Sequence, residues 1–408
     1  MKYETIIIGG GLSGLLSGIA LARSGRSVAI ISAGQSALHF SSGSFELLNR
    51  AVNPLEGLES LDDSHPYRKI GKELLIKYTN DFVTFATEAG MKINGDATRN
   101  HYRLSPIGLL KPAWLTLDDY AAFDNDEHLP WRKVAIFNLN GYLDFYPKFL
   151  ISGLSKKGIE CEVSTLTIPQ LENLRKSTTE MRAANIARVM TGETISAIAK
   201  EINAHIGAVN AVLMPAVFGL FDNSPVEQLR SLVNVPVYFV PTMPASVPGV
   251  RTQIQLRKYF QQLGGTYFIG DNVTEGTLNG NRLESITTMN HGDMEFTADN
   301  FILATGSFFS HGIIASQAKV YEPIFGLDVE AHDQRENWCN IDLYKEQPYM
   351  KYGVITDAGF HAMTGGVTIE NVYAAGSILA GQNAIEDGCG AGVAITTALH
   401  VANQIINA

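Results

Sequence analysis

Residues 5–32, TIIIGGGLSGLLSGIALARSGRSVAIIS, decide the fold of this chain. An apolar run stops at Gly9, a glycine-rich turn follows, and a stretch of small and apolar residues with helical spacing leads to a second apolar run at 28–31. Strand, glycine turn, helix and strand within about 30 residues form the βαβ unit that binds dinucleotides. The sequence therefore predicts an α/β nucleotide-binding fold.

The glycine pattern of this unit, GxGxxG, predicts where a phosphate is bound. Gly9 allows the tight turn, Gly11 lets the backbone approach a phosphate closely, and Gly14 brings the helix onto the strand. Leu12 and Ser13 lie in the first helical turn, where unpaired N–H groups and the helix dipole favour an anion. These residues are the predicted phosphate turn.

The end of the second strand lacks a usual feature of dinucleotide sites. That position commonly carries Asp or Glu, which binds the adenosine ribose. Here Ser32 occupies it, and the next acid along the chain is Glu46. A hydroxyl is a weaker ribose partner than a carboxylate, so either the adenosine half is held loosely or the ligand has no adenosine half.

The length, charge and hydropathy of the chain exclude several classes of function. The chain has 408 residues, enough for two or three domains, and its net charge of -10 gives no electrostatic case for nucleic acid. The N-terminus runs directly into the first strand without a signal-peptide pattern. The longest apolar stretch, residues 208–221, is interrupted and too short to span a bilayer. We expect a protein of the cytoplasmic side.

The cysteines predict no metal centre in this chain. Cys161, Cys339 and Cys389 are isolated from one another, and no CxxC pair exists. Neither a zinc site nor an iron–sulfur cluster fits that spacing. If the protein passes electrons to a cluster, another polypeptide must supply it.

Ser41, Ser42, Gly43 and Ser44 form a second small-residue loop soon after the phosphate turn. Their hydroxyl and backbone groups are suited to binding a cofactor. The alternative is a capped helix start, with Ser44 as the N-cap of residues 45–48.

Two later segments repeat the pattern of a strand that ends in glycine. The apolar strand at 301–304 ends in Ala-Thr-Gly at Gly306, and the strand at 371–375 ends at Gly376 and Ser377. Gly388 and Gly390 then precede a final helix, whose N-terminus could stabilise the negative charge of a reduced flavin. Ordinary turns and close helix packing are the structural alternatives.

The order of these three motifs is that of two-dinucleotide-binding-type flavoproteins. Within that superfamily the chain resembles the B subunit of anaerobic glycerol-3-phosphate dehydrogenase. The resemblance rests on patches at residues 34–44, 214–220, 306–310 and 322–329, and it covers nearly the whole chain. It implies an α/β fold in which a Rossmann-like flavin-binding domain of the GR2 type, residues 1–50 plus 250–408, carries an inserted α/β domain, residues 51–249.

The resemblance also implies an activity and partners. The family oxidises sn-glycerol 3-phosphate to dihydroxyacetone phosphate and passes the electrons to a quinone in anaerobic respiration. A flavin-bearing A subunit and a membrane-associated iron–sulfur C subunit complete the complex, which would place this chain at the inner membrane through its partners. The B subunit is assigned FMN, which the missing carboxylate at Ser32 favours independently; FAD is the alternative.

The chemistry requires a base for the C2 hydroxyl and a cation for the substrate phosphate. His311, after the Ala-Thr-Gly strand, is a candidate base, and Arg251 is a candidate phosphate clamp. Both residue types are more often structural. A flavin oxidoreductase acting on another small substrate, and a non-catalytic scaffold or electron-relay protein, remain alternatives.

Overall fold

The computed structural model describes residues 1–177 and 180–408. Its helices are α1 (Leu12–Arg23), α2 (Pro66–Ile70), α3 (Lys72–Glu88), α4 (Pro147–Ser155), α5 (Ala183–Arg188), α6 (Gly192–His205), α7 (Ser224–Leu232), α8 (Val247–Gln262) and α9 (Gly390–Asn407). No helix in these ranges is both long enough and apolar enough to cross a membrane.

The strands, in chain order, are β1 (Lys2–Ile8), β2 (Val28–Ser32), β3 (Ser44–Phe45), β4 (Ile93–Gly95), β5 (His101–Leu104), β6 (Leu110–Ala113), β7 (Leu115–Leu117), β8 (Ala122–Phe123), β9 (Lys133–Leu139), β10 (Glu160–Leu166), β11 (Ala211–Pro215), β12 (Val237–Val240), β13 (Thr266–Ile269), β14 (Val273–Asn279), β15 (Arg282–Thr288), β16 (Gly292–Leu303), β17 (Ile314–Ala315), β18 (Val320–Tyr321), β19 (Val329–Glu330), β20 (Gly353–Val354), β21 (His361–Thr364) and β22 (Val367–Ala374).

The chain divides into two compact units. The first unit comprises Met1–Ala37, Glu46–Ala89 and Leu256–Ala408; the second comprises Leu38–Phe45 and Gly90–Gln255.

The first unit is built on five parallel strands in the order β13-β2-β1-β16-β22. Numbered along the chain, that order is 3-2-1-4-5, the arrangement of dinucleotide-binding folds. The order reverses between β1 and β16, whose ends are in register at Ile8 and Leu303. Sheets of this kind bind ligands at the carboxyl ends of the strands beside such a reversal.

Burial explains why the N-terminal βαβ unit is the centre of the first unit. Ile6 and Ile7 of β1 and Leu15, Leu16 and Ile19 of α1 are completely buried. Each such side chain contributes roughly 1.5–3 kcal/mol by leaving water. The α/β fold predicted from these runs is confirmed.

The second unit contains a parallel sheet in the order β10-β9-β11-β12. Helix α4 connects β9 to β10, α5 and α6 connect β10 to β11, and α7 connects β11 to β12. Two small antiparallel sheets, β3-β7-β4 and β6-β5-β8, complete this unit. The α/β character predicted for the middle of the chain is therefore present.

The compact units differ from the predicted domain boundaries, which stay a prediction. Residues 51–89 lie in the first unit, where Tyr78 of α3 is hydrogen-bonded to His400 of α9 at 3.3 Å. Residues 38–45 lie in the second unit, because β3 pairs with β7. The division falls between Gln255 and Leu256, inside α8.

Candidate functional site

Gly9 places the ends of β1 and β16 side by side. Its φ of 115° is in the region that favours glycine, and a Cβ at this position would lie 2.2 Å from the Ala304 carbonyl oxygen. The Ala304 N–H donates to the Ile8 carbonyl at 2.8 Å. The first and second glycine motifs of the sequence therefore meet at one edge of the sheet.

Gly376 brings the third motif to the same edge. Its φ is 82°, and a Cβ there would lie 2.0 Å from the Ser13 hydroxyl oxygen at the start of α1. The Gly376 N–H donates to the Thr397 hydroxyl of α9 at 2.9 Å, and the preceding Ala375 N–H donates to Leu303 at 3.0 Å. The start of α1 and the ends of β16 and β22 thus converge in the first unit.

The two glycines that flank the first turn of α1 face different surroundings. A Cβ on Gly14 would lie 1.9 Å from the Gly9 carbonyl oxygen, so the helix lies directly on the turn. Among the described residues, a Cβ on Gly11 would meet only the Ser36 Cβ, at 4.0 Å. In the same part of the chain no side chain caps α1, and Leu12 and Ser13 begin its first turn. The space beside Gly11 and an uncapped helix start form a cradle for an anion.

The end of β2 carries a serine where dinucleotide sites commonly carry a carboxylate. Ser32 is buried, and its hydroxyl donates to the Gly34 carbonyl at 3.1 Å. The neighbouring strand end brings Asp271 close, since the Asp271 N–H donates to the Ser32 carbonyl at 3.1 Å. The Asp271 carboxylate, however, accepts from the Asn290 N–H at 3.0 Å and lies 2.7 Å from His291 Nδ1. It is therefore already engaged.

The Ala-Thr-Gly loop holds two of the predicted residues. Gly306 has a φ of 85°, and a Cβ on it would lie 3.5 Å from the hydroxyl oxygen of the exposed Ser377. His311 follows in the same loop with a φ of 60° and an exposed side chain. Its role as a base stays a prediction.

The two glycines at the start of α9, Gly388 before the helix and Gly390 as its first residue, are packed against other atoms. A Cβ on Gly388 would lie 2.1 Å from Asn49 Nδ2, and a Cβ on Gly390 would lie 3.2 Å from the Ala384 Cβ. The residue before the helix, Cys389, provides no side-chain cap. Close packing, the structural alternative, accounts for the glycines, while the uncapped helix start keeps the electrostatic role open.

Three side chains capable of binding metal meet beside this helix start, although the sequence predicts no metal site. The ligand atoms of His65, Asp387 and Cys389 all lie within 4.8 Å of one another and are buried. Arg50 Nη2 lies 2.5 Å from the Asp387 carboxylate and balances its charge. His65 Nδ1 accepts from the Tyr67 N–H at 3.1 Å. The proton of the neutral ring is therefore on Nε2, which lies 3.8 Å from Cys389 Sγ.

Burial determines the protonation of this cluster. It lowers the pKa of His65 to about 4, chiefly by desolvation and despite the opposing Asp387 charge. Desolvation also raises the pKa of the Cys389 thiol. A neutral imidazole that donates toward a thiol, beside a carboxylate paired with Arg50, is a hydrogen-bonded brace for the loop that leads into α9.

Sequence reasoning missed Gln382 and Thr305. Gln382 is 4% exposed, and its Nε2 donates to the Gly376 carbonyl at 3.2 Å. Within the described chain, its Oε1 and the Thr305 hydroxyl are buried without a hydrogen-bond partner. Buried polar atoms normally have partners, so such atoms at a converging edge indicate a ligand or ordered water. Their only signal in the sequence is proximity to Gly376 and Gly306.

The loop at 41–44 lies in the second unit. Arg103, which is buried, donates to the hydroxyls of Ser44 at 2.5 Å and Ser42 at 2.7 Å. The Gly43 N–H donates to the Ser41 hydroxyl at 3.1 Å. Ser44 begins strand β3, so the alternative of an N-cap for a helix at 45–48 is wrong, because pairing with β7 keeps the backbone extended. A cofactor role for this loop stays a prediction.

Arg251, the candidate phosphate clamp, is buried in the second unit. Its guanidinium lies 2.5 and 2.7 Å from the two carboxylate oxygens of Asp119. It also donates to the carbonyls of Phe218 at 3.2 Å and Gly219 at 2.7 Å. These contacts are those of a structural ion pair, and the clamp role stays a prediction.

Comparison with known proteins identifies the class of this fold and then the family. The FAD binding domain family matches residues 4–393. The chain is thus a flavoprotein of the FAD-binding oxidoreductase class.

A narrower family is evident from curated relatives named as the B subunit of anaerobic glycerol-3-phosphate dehydrogenase. The relative from Yersinia enterocolitica is 41% identical, with 100% of this chain and 99% of the relative covered. The one from Pectobacterium atrosepticum is 37% identical with the same coverage, and the one from Pasteurella multocida is 37% identical with 99% of each chain covered. The chain belongs to this B-subunit family.

The residues of the first unit fit a flavin nucleotide. The open space at Gly11 and the uncapped start of α1 suit a phosphate. The glycines after β16 and β22 have no side chains that would fill this edge of the sheet. At the same edge the Gln382 Oε1 and the Thr305 hydroxyl have unused hydrogen-bonding capacity. The family and the local chemistry agree on a flavin cofactor.

Proposed function

We propose that this chain is the flavin-binding B subunit of an anaerobic, quinone-linked glycerol-3-phosphate dehydrogenase. The reaction is oxidation of sn-glycerol 3-phosphate to dihydroxyacetone phosphate. The observation that carries the proposal is full-length similarity to relatives of that name, 41% identical over 419 residues, in a chain whose three glycine motifs converge at one sheet edge.

In the proposed site, Gly11, Leu12 and Ser13 hold the flavin phosphate through backbone N–H groups at the start of α1. Gly306, Gly376 and Ser377 would border the ring system, and the start of α9 would stabilise the negative charge of the reduced ring. A bound flavin supplies a two-electron acceptor for the hydride of the substrate. The glycines contribute space, and the buried neighbours exclude water.

The proposed cofactor is FMN. Its support is the end of β2, where Ser32 is buried and bonded to Gly34, and where the Asp271 carboxylate is engaged by Asn290 and His291. An adenosine ribose there would meet a serine and a carboxylate that already has hydrogen-bond partners. FAD is the second candidate, favoured by the match to the FAD binding domain family.

The proposed partners are a flavin-bearing A subunit and a membrane-associated iron–sulfur C subunit, with a quinone as the final acceptor. The relatives share a name that designates one member of a multi-subunit complex. Because the three cysteines are separated in sequence, the electrons would leave the flavin through a partner's cluster. Such a complex would place this chain on the cytoplasmic side of the inner membrane.

A relay role within the same complex is the second candidate. The observation that favours it is Arg251, whose donors are bonded to Asp119, Phe218 and Gly219. In that case the flavin-bearing partner oxidises the substrate, and the flavin of this chain passes the electrons on. His311 would be the base only if this chain oxidises the substrate itself.

One experiment tests both candidates. The chain is purified alone, its flavin is released with acid and identified by chromatography, and glycerol-3-phosphate-dependent dye reduction is measured. A flavin-loaded chain that reduces the dye supports the substrate-oxidising role. A flavin-loaded chain that reduces the dye only with its flavin-bearing partner supports the relay role. A colourless chain that remains flavin-free after incubation with FMN and FAD contradicts both.

A further inference from the structure

We propose that an apolar patch around α4, in the second unit, is the docking surface for another protein of the dehydrogenase complex. The inference rests on the proposed membership of a multi-subunit complex. The patch, named here the α4 patch, comprises six large apolar residues with the following exposed fractions: Ile107 51%, Leu109 48%, Leu143 73%, Tyr146 49%, Phe149 58% and Met243 52%.

The aromatic residues of the α4 patch lie on one stripe of the helix. The ring centroids of Tyr146 and Phe149 are 5.9 Å apart. Gly153 lies four residues after Phe149 and therefore on the same face. A Cβ on Gly153 would be 2.5 Å from the Cα of Gly108, so the turn between β5 and β6 lies directly on this stripe.

That turn extends the patch at one end. Ile107 and Leu109 flank Gly108 on its two sides, and both are exposed. A Cβ on Gly108 would lie 2.7 Å from the Gly153 Cα. The contact between the two glycines therefore brings this turn, with its exposed apolar side chains, against the helix that carries Phe149.

The loop before α4 extends the patch at the other end. The Met243 N–H donates to the carbonyl of Asp144, the residue after Leu143, at 3.0 Å, so the two loop segments are adjacent. Arg182 Nη1 lies 3.1 Å from the Asp144 carboxylate. The exposed apolar side chains therefore project from an ordered, hydrogen-bonded loop.

The fold of the second unit does not require these outward residues. The inner face of α4 is already packed, with Leu150 and Leu154 completely buried. A surface helix normally presents polar residues opposite its apolar stripe. In α4 the exposed Lys148, Ser152 and Ser155 provide that polar face, but the exposed Phe149 beside them departs from the pattern. Large contiguous apolar patches on soluble proteins mark interaction sites, so Phe149 together with the neighbouring exposed apolar residues indicates a missing partner.

The charges around the patch indicate the chemistry of that partner. Lys111, Lys148 and Lys156 are exposed, and none of them forms an ion pair within the described ranges of the chain. The chain as a whole carries a net charge of -10, whereas these three lysines form a basic rim around the α4 patch. It is complementary to a protein surface with an apolar centre and an acidic rim. A two-fold contact between copies would bring lysines toward lysines, which disfavours a homodimer.

The test uses the full complex, in which this chain is co-expressed with its flavin-bearing and iron–sulfur partners from the same organism. The variant Leu143→Asp/Phe149→Asp places two carboxylates in the patch. The matched control is Ile341→Asp/Leu343→Asp, since those residues of the first unit are 101% and 85% exposed. Association is measured by copurification, size-exclusion chromatography with light scattering, and titration of labelled chain with the partner proteins.

The expected result is at least a ~10-fold weaker association for the patch variant, because centrally placed aromatic residues dominate interfaces. Its flavin content and melting temperature should equal those of the parent. The control should associate like the parent. Lys148→Glu should weaken association less, and the difference from the parent should shrink at high salt.

Several results would overturn the proposal. Unchanged association of the patch variant, or loss of association only in the control, places the interface elsewhere. A dimer of the isolated chain that the patch variant dissociates, with the complex intact, assigns the patch to a second copy. Flotation with vesicles of phosphatidylethanolamine and phosphatidylglycerol that is lost in the variant, with the complex intact, assigns it to lipid. A parent chain that fails to copurify with either partner overturns the proposed function as well.

Discussion

The parallel sheets of the two units both contain a reversal of strand order, but the residues at the two reversals differ. In the first unit the strand order reverses between β1 and β16, and in the second it reverses between β9 and β11. Both sheets therefore present carboxyl strand ends beside a reversal, where α/β folds bind ligands.

The residues at those two edges differ. In the first unit the loops after β1, β16 and β22 contain Gly9, Gly306 and Gly376 within their first three residues, and the space beside Gly11 is open. In the second unit Tyr142, which is 2% exposed, lies in the loop after β9, and the loop after β11 is held by Arg251 through its carbonyls. The strand order creates a crevice at both sheet edges, but a ligand can enter it only where the loop residues are small.

Gly14→Val should have the largest effect, because it adds a side chain where α1 lies directly on the glycine turn. The new Cβ would lie 1.9 Å from the Gly9 carbonyl oxygen, and rigid backbone cannot move aside cheaply. We expect loss of the soluble, folded protein, measured by yield and circular dichroism. Gly34→Ala is the control, since nothing lies within 4 Å of its Cβ position. A folded Gly14→Val variant that retains flavin would contradict the close contact of helix and turn.

Arg251→Met tests whether the edge of the second unit is filled for structural reasons. Removing one partner of a buried ion pair costs about 3–5 kcal/mol, because the other charge remains buried. We expect a loss of that size in the free energy of urea unfolding. Arg251→Met/Asp119→Leu should recover much of it. Parent-like stability with a raised KM for glycerol 3-phosphate would instead support the phosphate-clamp role.

The titration of His65 tests the hydrogen-bonded cluster that braces the loop leading into α9 in the first unit. The ordinary pKa of 6.5 is lowered to about 4 in the folded protein. As pH falls below 6.5, the unfolded chain binds a proton that the folded chain does not bind until about pH 4. The free energy of unfolding should therefore decrease between these values, by about 3 kcal/mol in total.

His65→Asn removes the titrating group while keeping an acceptor for the Tyr67 N–H. Its stability should depend less steeply on pH over this interval, as measured by urea unfolding from pH 7 to pH 4. His128→Asn, at an exposed position, is the control and should keep the parent's slope. An unchanged slope in His65→Asn would show that this imidazole is not buried as described.

These tests also separate what the sequence could predict from what it could not. The sheet edge was predictable, because Gly9, Gly306 and Gly376 each follow an apolar run. The partners of Arg251 were not, since Asp119 is distant in sequence and neither residue belongs to a motif. Gln382 was missed for the same reason: its position matters only after β22 and α9 have packed.

The loop at 41–44 shows a further limit. Serines around a glycine are equally compatible with a cofactor loop and a helix cap, and local sequence cannot choose between them. Pairing of β3 with β7 decides against the cap, and that pairing depends on Leu115 and Thr116, which are distant in sequence. Non-local contacts of this kind override local propensity.

Gly11→Ala separates phosphate binding from folding. The added Cβ meets no atom closer than 4.0 Å, so stability should be unchanged. It would occupy the space assigned to the phosphate, and we expect flavin affinity to fall on the order of 100-fold, equivalent to about 2.7 kcal/mol. Flavin fluorescence titration of the apo protein measures this loss. Parent-like affinity would place the phosphate away from α1.

Ser32→Glu has the smallest expected effect and distinguishes the two cofactors. If the site binds FAD, a carboxylate at the end of β2 gains the ribose of adenosine, and a charge-assisted hydrogen bond of roughly 1.5–3 kcal/mol strengthens binding about tenfold or more. If it binds FMN, no adenosine ribose is present, and the new charge leaves affinity unchanged or slightly lowers it. We expect the second result, with FMN in the acid extract. Because Ser32 is buried, Ser32→Ala and melting temperatures control for effects on folding. Tighter FAD binding by Ser32→Glu, with FAD in the extract, would refute FMN and show that the first unit's open edge extends along β2.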